Sequence, residues 1–492
     1  MNILFIYSLQ KTVSLYKPLF GQEQIQFGIS YISSFLKLNG HHTVLSVLDR
    51  KNERRALGLL MKRINRLQPG LICFTAVFSE IEFITKVAAH IKKLKPGIPL
   101  MLGGVHVTLN PSVTFLEIFD SICIGEGEHP VLEYVNSIEN GTYFRSIANL
   151  WVKENERIHK NPARDFISGI DTLPFPDRDM WQEWILEPQT RMTLLLGRGC
   201  PYNCSYCCNH AIKQTAKGEY VRLRSPDSIL TELTLLHNQY PMIREFFFEV
   251  ETIGTDMEWL DELCSKLQLF NKNREMQFST NLRIFSSMNF EQIFSNLQKC
   301  GFESVIIGLE SGSELIRKNI LNRIYSNDDI MKAVDAAGRN KIKIGLFNMI
   351  GLPGETLEQF GETLNLNRII QPHWHSTSIF FPYPGTALFQ LVKDMNLLPE
   401  KLSTTDERQR AVLELPGFTK KDIQKCFDSF HYEVYKKNKN RRVSRLFIYF
   451  IMKFAGHNCM AECKLLLLRI LYLFRLNRLT GITRLLGIFQ RA

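Results

Sequence analysis

The sequence predicts an α/β protein: a Rossmann-like domain with a parallel sheet, then a partial (β/α)6 barrel of the TIM type, then a helical, basic C-terminal region. β-rich runs alternate strictly with helical patterns over the first 140 residues, and the alternation resumes from Met192 for about six units. Such alternation implies parallel strands covered by helices. The length of 492 residues, 45% of them hydrophobic, exceeds one ordinary core, so two or three domains are expected.

The first domain is predicted from five apolar, β-rich runs that Gly, Pro and helical segments separate. These strands are residues 3–7, 43–48, 70–75, 99–102 and 121–124. In a parallel sheet of this kind, ligands bind beyond the carboxyl ends of the strands. Two glycine-bearing turns, GGVHVT at 103–108 and GEGE at 125–128, follow predicted strands there. They mark the expected binding edge of the first domain.

The middle of the chain is expected to connect the two α/β parts. Residues 150–190 lack periodicity, and LPFPDRD at 173–179 has two prolines in three positions, as is typical of a linker. From Met192 onward six β-rich runs follow, fewer than the eight strands of a closed barrel. The predicted domains are therefore 1–145, a linker at 146–189, a partial barrel at 190–400 and a helical basic region at 401–492.

The excess positive charge lies entirely at the C-terminal end. Residues 431–492 contain thirteen Lys or Arg and two Glu, which accounts for the whole net charge of +11. A basic body would indicate nucleic acid, but here the body is neutral, so no nucleic-acid partner is predicted. The apolar runs of this tail are interrupted by Lys or Arg before they reach the 18 residues that a membrane span needs. Two interpretations stay open: a basic amphipathic surface for an anionic membrane, or a helical cap packed on the barrel.

Four of the eleven cysteines lie together in GRGCPYNCSYCCNH, residues 197–210. The amino-terminal MNILFIY lacks the basic region and cleavage site of a secretory leader, so a reducing, cytoplasmic compartment is expected. Clustered thiols there indicate a metal site rather than disulfides. Cys200, Cys204 and Cys207 form C-x3-C-x2-C directly after a predicted strand, and three thiolates from one loop can surround a small inorganic core. A fourth, open coordination position would allow that core to bind and activate a ligand.

Alternatives to this three-ligand site are weaker. A structural zinc site would need a second pair of Cys or His at finger spacing, which is missing nearby. Cys208 is adjacent to Cys207, and neighbouring side chains diverge, so Cys208 is interpreted as a packing residue. His210 is the remaining candidate ligand, although a loop histidine is more often solvated.

The C-x3-C-x2-C spacing with an aromatic residue, Tyr206, before the third cysteine resembles the signature of the radical SAM superfamily. The resemblance implies that Cys200, Cys204 and Cys207 hold a [4Fe-4S] cluster and that S-adenosylmethionine (SAM) chelates the fourth iron. Reductive cleavage of SAM then yields a 5′-deoxyadenosyl radical. Later segments resemble the family in the expected order: GLESGS at 308–313 and GLFNMIGLPGET at 345–356.

The resemblance implies SAM contacts from the ends of several strands. The implied residues are Tyr206, Glu249, Glu310, Ser311, Gly351 and Gly354. One segment departs from the family pattern: the acidic pair expected after the second strand is FEVETIGTD here, with Val250 at the first acidic position. Glu249 and Glu251 are the substitutes available. Taken singly, each of these segments is also explained as a tight turn or a helix cap.

An α/β domain in front of such a barrel resembles the cobalamin-binding subclass, over roughly residues 1–400. The resemblance implies cobalamin contacts from the first domain at Thr75, Ser79, Gly103, Gly104, His106, Thr108, Gly125, Glu126 and Gly127. The D-x-H-x-x-G motif, whose histidine coordinates cobalt in many other cobalamin proteins, is absent after Asp49. Bound cobalamin would then lack that lower ligand. The alternative is a vestigial domain that serves as a scaffold.

The resemblance therefore implies a cobalamin-dependent radical SAM enzyme, with methyl transfer to an unactivated carbon as the leading reaction. Radical ring closure or oxidation without methyl transfer, as in the anaerobic cyclases, is an alternative, and a non-catalytic redox or cofactor sensor is another. The expected partners are a small-molecule or lipid-like substrate and an external electron donor of flavodoxin or ferredoxin type. The expected location is cytoplasmic, with peripheral contact at the inner face of the membrane left open. The sequence identifies no catalytic acid or base, although His373, Trp374 and His375 lie near a predicted strand end.

Overall fold

A computed structural model describes residues 1–10, 12, 16–142, 145–187, 191–405 and 407–436. The described chain divides into two compact units. The first contains Met1–Glu251, Leu269–Gln277 and Tyr383–Phe389. The second contains Thr252–Gln268, Phe278–Pro382 and the described residues after 389.

The first unit begins with a seven-stranded sheet. Its strands are β1 (Asn2–Leu9), β2 (His42–Asp49), β3 (Leu71–Thr75), β4 (Leu100–Gly103), β5 (Ser121–Cys123), β6 (Leu150–Glu154) and β7 (Arg157–Lys160). The strand order is β2-β1-β3-β4-β5-β6-β7, and the pairs from β2 to β5 are parallel. The order 2-1-3-4-5 is that of a doubly wound sheet, whose ligands bind at the carboxyl edge. The predicted Rossmann-like sheet is therefore confirmed.

Helices cover both faces of this sheet. They are α1 (Phe27–Leu38), α2 (Glu53–Leu67), α3 (Ile81–Leu94), α4 (Val105–Leu109) and α5 (Glu128–Asn140). Alternate residues of β1 enter opposite cores: Ile3 and Phe5 pack with α1 and α5, whereas Leu4 and Ile6 pack with α2 and α3. Because both faces of the strand are buried, its sequence is continuously apolar rather than alternating.

The prediction of an irregular chain over residues 150–190 is wrong for its first part. β6 pairs antiparallel with β5, and β7 pairs antiparallel with β6, so residues 150–160 extend the first sheet. The sequence does not predict this pair of strands, because β7 (RIHK) faces solvent and has no alternation of apolar residues. Residues 161–169 have no regular structure.

The first unit continues into the cysteine segment. Its further elements are β8 (Arg191–Leu195), β9 (Gly197–Arg198), α6 (Asn209–Ile212), β10 (Arg222–Leu223), α7 (Pro226–Gln239) and β11 (Glu245–Glu249). β8 and β11 pair in parallel, and β9 pairs antiparallel with β10. The cysteine segment therefore begins at the carboxyl end of a parallel strand, as predicted.

Alternating strands and helices make up the rest of the described chain. They are α8 (Met257–Asn271), β12 (Gln277–Leu282), α9 (Phe290–Cys300), β13 (Phe302–Glu310), α10 (Glu314–Asn319), α11 (Asn327–Arg339), β14 (Lys343–Ile350), α12 (Leu357–Ile370), β15 (Trp374–Ile379), α13 (Ala387–Asp394) and α14 (Lys420–Tyr435). β12 to β15 pair successively in parallel. Together with β8 and β11 they are the six parallel strands that the sequence predicts.

The basic tail is described only as far as residue 436. Cys459, Cys463 and most of the charged segment lie outside the described residues, so membrane contact and a lipid-like substrate stay predictions. Within the described ranges, no helix has the length and apolar character needed to span a bilayer.

Residues 373–375 lie near a strand end, as noted from the sequence, and that end is the amino end of β15. Trp374 and His375 begin β15, whereas ligands of parallel sheets bind at the carboxyl ends of strands. The His375 Nε2 lies 3.2 Å from Nδ1 of His431 on α14, and the ring of Tyr435 stacks on His375. These residues join α14 to the amino end of β15.

Candidate active site

The cysteine loop is held by backbone hydrogen bonds at its start. Leu196 follows β8; its N–H donates to the Glu249 carbonyl, and its carbonyl accepts from the Arg224 N–H, both at 2.8 Å. Cys200 and Cys204 are buried and Cys207 is half-buried. Three thiols thus lie in one loop that begins at the carboxyl end of a parallel strand, where ligands of such sheets bind.

Gly199 allows the cysteine loop to pack closely against the backbone of Tyr220. Its φ is +81°, and a Cβ there would lie 2.1 Å from the carbonyl oxygen of Tyr220. Any other residue would have to displace backbone as well as adopt a left-handed conformation. This glycine therefore fixes the distance between the first cysteine and the segment that carries Tyr220.

The sulfur of Cys207 receives several donors. The backbone N–H and the side-chain amide of Asn209 each lie 3.5 Å from the Cys207 Sγ. A hydrogen bond from the Cys208 thiol and those from Asn209 lower the pKa of Cys207 to about 7 and outweigh its burial. Burial raises the pKa of Cys200 to about 11. A sulfur that accepts several N–H bonds suits a thiolate ligand.

These thiols fit an iron–sulfur cluster by donor chemistry. Among residues of the described ranges, no three His, Cys, Asp or Glu side chains converge closely enough for a single metal ion. The ligands of a [4Fe-4S] cluster lie farther apart, because each thiolate binds a different iron. Three cysteines in one loop with N–H donors at sulfur suit that larger group.

Arg198, between the two glycines that precede Cys200, is bound by the GEGE turn. Its guanidinium donates to Glu126 Oε1 at 2.9 Å and to Glu128 Oε1 at 2.6 Å. Arg222, which lies opposite Arg198 in the β9–β10 pair, also binds Glu126. Burial alone would raise the pKa of Glu126, but hydrogen bonds and charge from Arg222 and Arg198 lower it below its usual value. The turn predicted to contact cobalamin thus holds the start of the cysteine loop.

The segment Tyr383–Phe389 also contacts the cysteine loop. The Leu388 N–H donates to the Ser205 carbonyl at 2.8 Å, and the Ala387 N–H donates to His210 Nε2 at 3.0 Å. The amide of Asn110, at the end of α4, donates to the Pro384 carbonyl at 3.0 Å. His210 is therefore a hydrogen-bond acceptor in this contact rather than a solvated loop residue.

The residues predicted to contact cobalamin lie at the carboxyl edge of the first sheet. Thr75 and Gly103 end β3 and β4, and Gly104 follows with φ +103°; a Cβ there would lie 2.7 Å from the Ala76 carbonyl. The Thr108 hydroxyl accepts from the Gly125 N–H at 3.0 Å. The predicted residues are therefore brought to one edge, but Thr108 and Glu126 also make contacts within the fold.

His106 and Ser79 lie at the same edge. The His106 ring lies 5.4 Å from the ring of Phe78, its Nδ1 is buried without a hydrogen-bond partner, and burial lowers its pKa. The imidazole is therefore neutral at neutral pH. The Ser79 carbonyl accepts from Arg50 at 2.8 Å.

Glu249, the last residue of β11, and Glu251 flank the buried Val250. Burial and the neighbouring Glu251 charge raise the pKa of Glu249 to about 7. Glu251 is exposed. Two carboxylates thus lie at the carboxyl end of the strand next to the cysteine loop, as expected from the departing motif, and the pKa of Glu249 lies near neutral pH.

The second unit contains the remaining residues predicted to contact SAM. Glu310 ends β13 with φ +63°, and Arg323 donates to its Oε1 at 3.0 Å. Ser311 is fully buried, and its carbonyl accepts from Arg317 at 2.6 Å. A non-glycine residue in the left-handed region at a strand end is the kind of strain that often accompanies function.

The turn after β14 contains Gly351 and Gly354 and is stabilised by Glu355. Both glycines have positive φ, and Ile423 of α14 packs against Gly351. One carboxyl oxygen of Glu355 accepts from the N–H groups of Gly351 and Leu352 at 2.7 and 3.2 Å, and the other has no partner. Burial raises the pKa of Glu355 to about 8, so the buried carboxyl is mostly neutral at pH 7.

Replacing Glu355 by Gln is expected to remove a pH dependence of stability. Because the folded pKa is about 8 and the ordinary value is 4.5, the folded state binds the extra proton, and stability falls as pH rises from about 4.5 to 8. The maximum slope is about 1.4 kcal/mol per pH unit. In thermal unfolding at pH 5 to 8.5, the melting temperature of Glu355→Gln should therefore rise relative to that of the wild type as the pH increases.

Glu358→Gln, an exposed position in the next helix, is the control and should keep the wild-type pH dependence. If Glu355→Gln and the wild type lose stability in parallel over this range, Glu355 is ionised in the fold and the interpretation is wrong.

Two family models match the chain. The radical SAM superfamily model matches residues 194–366, which include the cysteine loop, and the B12 binding domain model matches residues 19–135, which include most of the first sheet. This chain belongs to the radical SAM enzymes that carry a B12 binding domain. The resemblance of the C-x3-C-x2-C loop and of the amino-terminal domain is thereby confirmed.

This radical SAM protein is similar to proteins of several activities. An uncharacterized methyltransferase of Pyrococcus horikoshii is 26% identical over 447 residues, 89% of this chain and 93% of the relative. The anaerobic magnesium-protoporphyrin IX monomethyl ester cyclase of Rubrivivax gelatinosus is 24% identical over 376 residues, 74% of this chain and 66% of the relative.

Solved structures share the fold of this radical SAM protein. The cobalamin-dependent SAM radical enzyme OxsB with aqua-cobalamin bound has a TM-score of 0.69 at 15% identity, over 96% of this chain and 75% of that chain. The radical SAM methyltransferase TsrM of Kitasatospora setae with cobalamin and a [4Fe-4S] cluster bound has a TM-score of 0.63 at 15% identity, over 80% and 75%.

Sequence analysis missed several residues around the cysteine loop of this radical SAM protein. They are Arg198, Asn209, Tyr220 and the segment Tyr383–Phe389. Arg198 had one signal, its place between two glycines. Asn209 and Tyr220 are close to the cysteines in sequence, but no local motif marks their hydrogen bonds, and the contacts of the segment Tyr383–Phe389 join positions far apart in sequence.

Proposed function

We propose that this chain is a cobalamin-dependent radical SAM enzyme that transfers a methyl group to an unactivated carbon. Cys200, Cys204 and Cys207 are the cluster ligands in this proposal. SAM contacts come from Tyr206, Glu249, Glu310, Ser311, Gly351 and Gly354, and cobalamin contacts from the carboxyl edge of β3 to β5.

The observation that carries the proposal is the ion-pair contact between the two predicted cofactor segments of the first unit. Arg198 precedes Cys200 by two residues and binds Glu126 and Glu128, which follow β5 at the predicted cobalamin edge. Both segments are therefore held at fixed positions within one compact unit. An enzyme that uses both cofactors on one substrate needs this proximity.

The chain's own residues would bind and orient the cofactors. When bound, the cluster and SAM supply a carbon radical, and cobalamin supplies a methyl group. Asn209 donates to a ligand sulfur, and the positive φ of Gly104 and Gly351 lets the chain turn directly after β4 and β14. Glu249, with its pKa near 7, can accept or release a proton beside the cysteine loop.

Ring closure or oxidation without methyl transfer is the second candidate. It is supported by the similarity over 74% of this chain to the anaerobic cyclase of Rubrivivax gelatinosus. Either reaction needs an external electron donor, for which a flavodoxin or ferredoxin is the proposed class. The domain bounds 1–145, 146–189, 190–400 and 401–492 remain part of the proposal, with β6 and β7 of the second range belonging to the first sheet.

The test is anaerobic reconstitution of the full chain with iron, sulfide and cobalamin, followed by addition of SAM and a reductant. We expect a brown protein with about four iron and four sulfide per chain that retains cobalamin and releases 5′-deoxyadenosine. S-adenosylhomocysteine formed in addition indicates methyl transfer, and its absence indicates the second candidate. A protein that binds no iron and cleaves no SAM would refute both.

A further inference from the structure

The strongest unexplained contact near the cysteine loop is a chain of hydrogen bonds that ends on Cys207. The Tyr220 hydroxyl donates to Oδ1 of Asn209, and the Asn209 amide and backbone N–H both donate to the Cys207 Sγ. Asn209 and Tyr220 are each 8% exposed. Neither residue belongs to the cysteine motif or to a predicted cofactor contact.

Tyr220 fixes which end of the Asn209 amide meets the sulfur. An amide can present either its oxygen or its NH2 group, and the hydrogen-bond network decides between them. Because Oδ1 accepts from Tyr220, the NH2 group is left to donate to Cys207. Tyr220 is itself held in place by its carbonyl against Gly199 and by the ring of Phe166, 5.1 Å away.

We infer that Asn209, oriented by Tyr220, is a positioning residue that raises the reduction potential of the cluster bound at Cys207. The inference rests on the proposed function, because it takes Cys207 as a cluster ligand. Hydrogen bonds to cluster sulfur stabilise the more negatively charged, reduced state, and so raise the potential. The backbone N–H of Asn209 remains in any side-chain variant, so the expected effect is partial.

The test is a redox titration of the anaerobically reconstituted full chain, followed by the electron paramagnetic resonance signal of the reduced cluster. At the wild-type midpoint, Asn209→Ala should lower the ratio of reduced to oxidised cluster about tenfold, which is ~59 mV for one electron. Asn209→Asp should lower it further, because a carboxylate replaces the donor. Tyr220→Phe should lower the ratio of reduced to oxidised cluster by less. It keeps the Asn209 side chain and only removes the hydrogen bond that orients its amide.

Two matched controls lie elsewhere in the first unit. Asn238→Ala removes an exposed amide from α7, and Tyr240→Phe removes a phenol that accepts from Gln182. Both should keep the wild-type midpoint. A purely structural loss in the Asn209 variants would reduce iron content without moving the potential of the cluster that remains.

The outcomes separate this inference from the proposed function. If Asn209→Ala carries wild-type iron and sulfide and titrates at the wild-type potential, the inference is overturned and the proposed function stands. If Asn209→Ala retains no cluster, Tyr220→Phe decides, because it leaves Asn209 in place; an unchanged midpoint there overturns the inference. If the wild type itself binds no cluster, the proposed function fails, and the inference with it.

Discussion

Replacing Cys204 by Ala is expected to abolish cluster assembly and the release of 5′-deoxyadenosine from SAM. Replacing Cys208 by Ala should preserve both. Cys204 is buried in the loop, and its carbonyl accepts from the Cys207 N–H at 3.1 Å. Removing that thiol leaves one iron without its protein ligand. Replacing a residue that hydrogen-bonds a metal ligand already lowers metal affinity or activity about 10- to 100-fold. Loss of a ligand itself should therefore lower 5′-deoxyadenosine release by more than about 100-fold.

The Cys208→Ala variant is the matched control because it removes the adjacent thiol from the same loop. Cys208 precedes α6 and donates to Cys207, so its loss removes one hydrogen bond and no ligand. Iron and sulfide content, the visible spectrum and 5′-deoxyadenosine release, all measured under anaerobic conditions, check the pair. A Cys204→Ala protein that stays brown and active would show that the ligand set differs from Cys200, Cys204 and Cys207.

The sequence was sufficient to predict the buried parallel strands, because a strand buried on both faces is continuously apolar. Ile3 to Ile6 are buried on both faces of β1, which makes the run continuously apolar and easy to assign. β7 has one neighbour in its sheet and is mostly exposed, so its sequence RIHK resembles a loop. Local sequence therefore predicts strands with two buried faces better than edge strands.

The part of the site whose residues are close in sequence was predictable. Contacts between residues far apart in sequence were not. Cys200, Cys204 and Cys207 lie in one loop at a fixed spacing. Glu126 was predicted to contact cobalamin from the resemblance of its GEGE turn to the cobalamin-binding subclass, and no feature of the sequence indicated that its carboxylate binds Arg198, 72 residues later. A turn motif shows that the backbone bends, but the partner of its side chain depends on the tertiary fold.

Arg198→Ala is expected to destabilise the protein by about 3 to 5 kcal/mol, because it leaves the buried Glu128 carboxylate without its partner, whereas Glu126 keeps its ion pair with Arg222. The side chains of Arg198 and Glu128 are 17% and 3% exposed, so solvent can replace little of the lost interaction. For a domain of 150 to 250 residues this lowers the melting temperature by roughly 10 °C. Thermal unfolding of the cobalamin-free and cluster-free chain measures it without any contribution from cofactors.

A double variant distinguishes the ion pair from simple loss of packing. Glu128→Gln removes the charge that Arg198 neutralises, so Arg198→Ala in that background should cost less than in the wild type. Arg145→Ala, at an exposed pair with Glu154, should change the melting temperature little. Since Arg198 lies two residues before Cys200, the single variant should also assemble less cluster than Arg145→Ala does. Equal cluster content in the two variants would show that the GEGE turn stabilises the fold without positioning the cysteine loop.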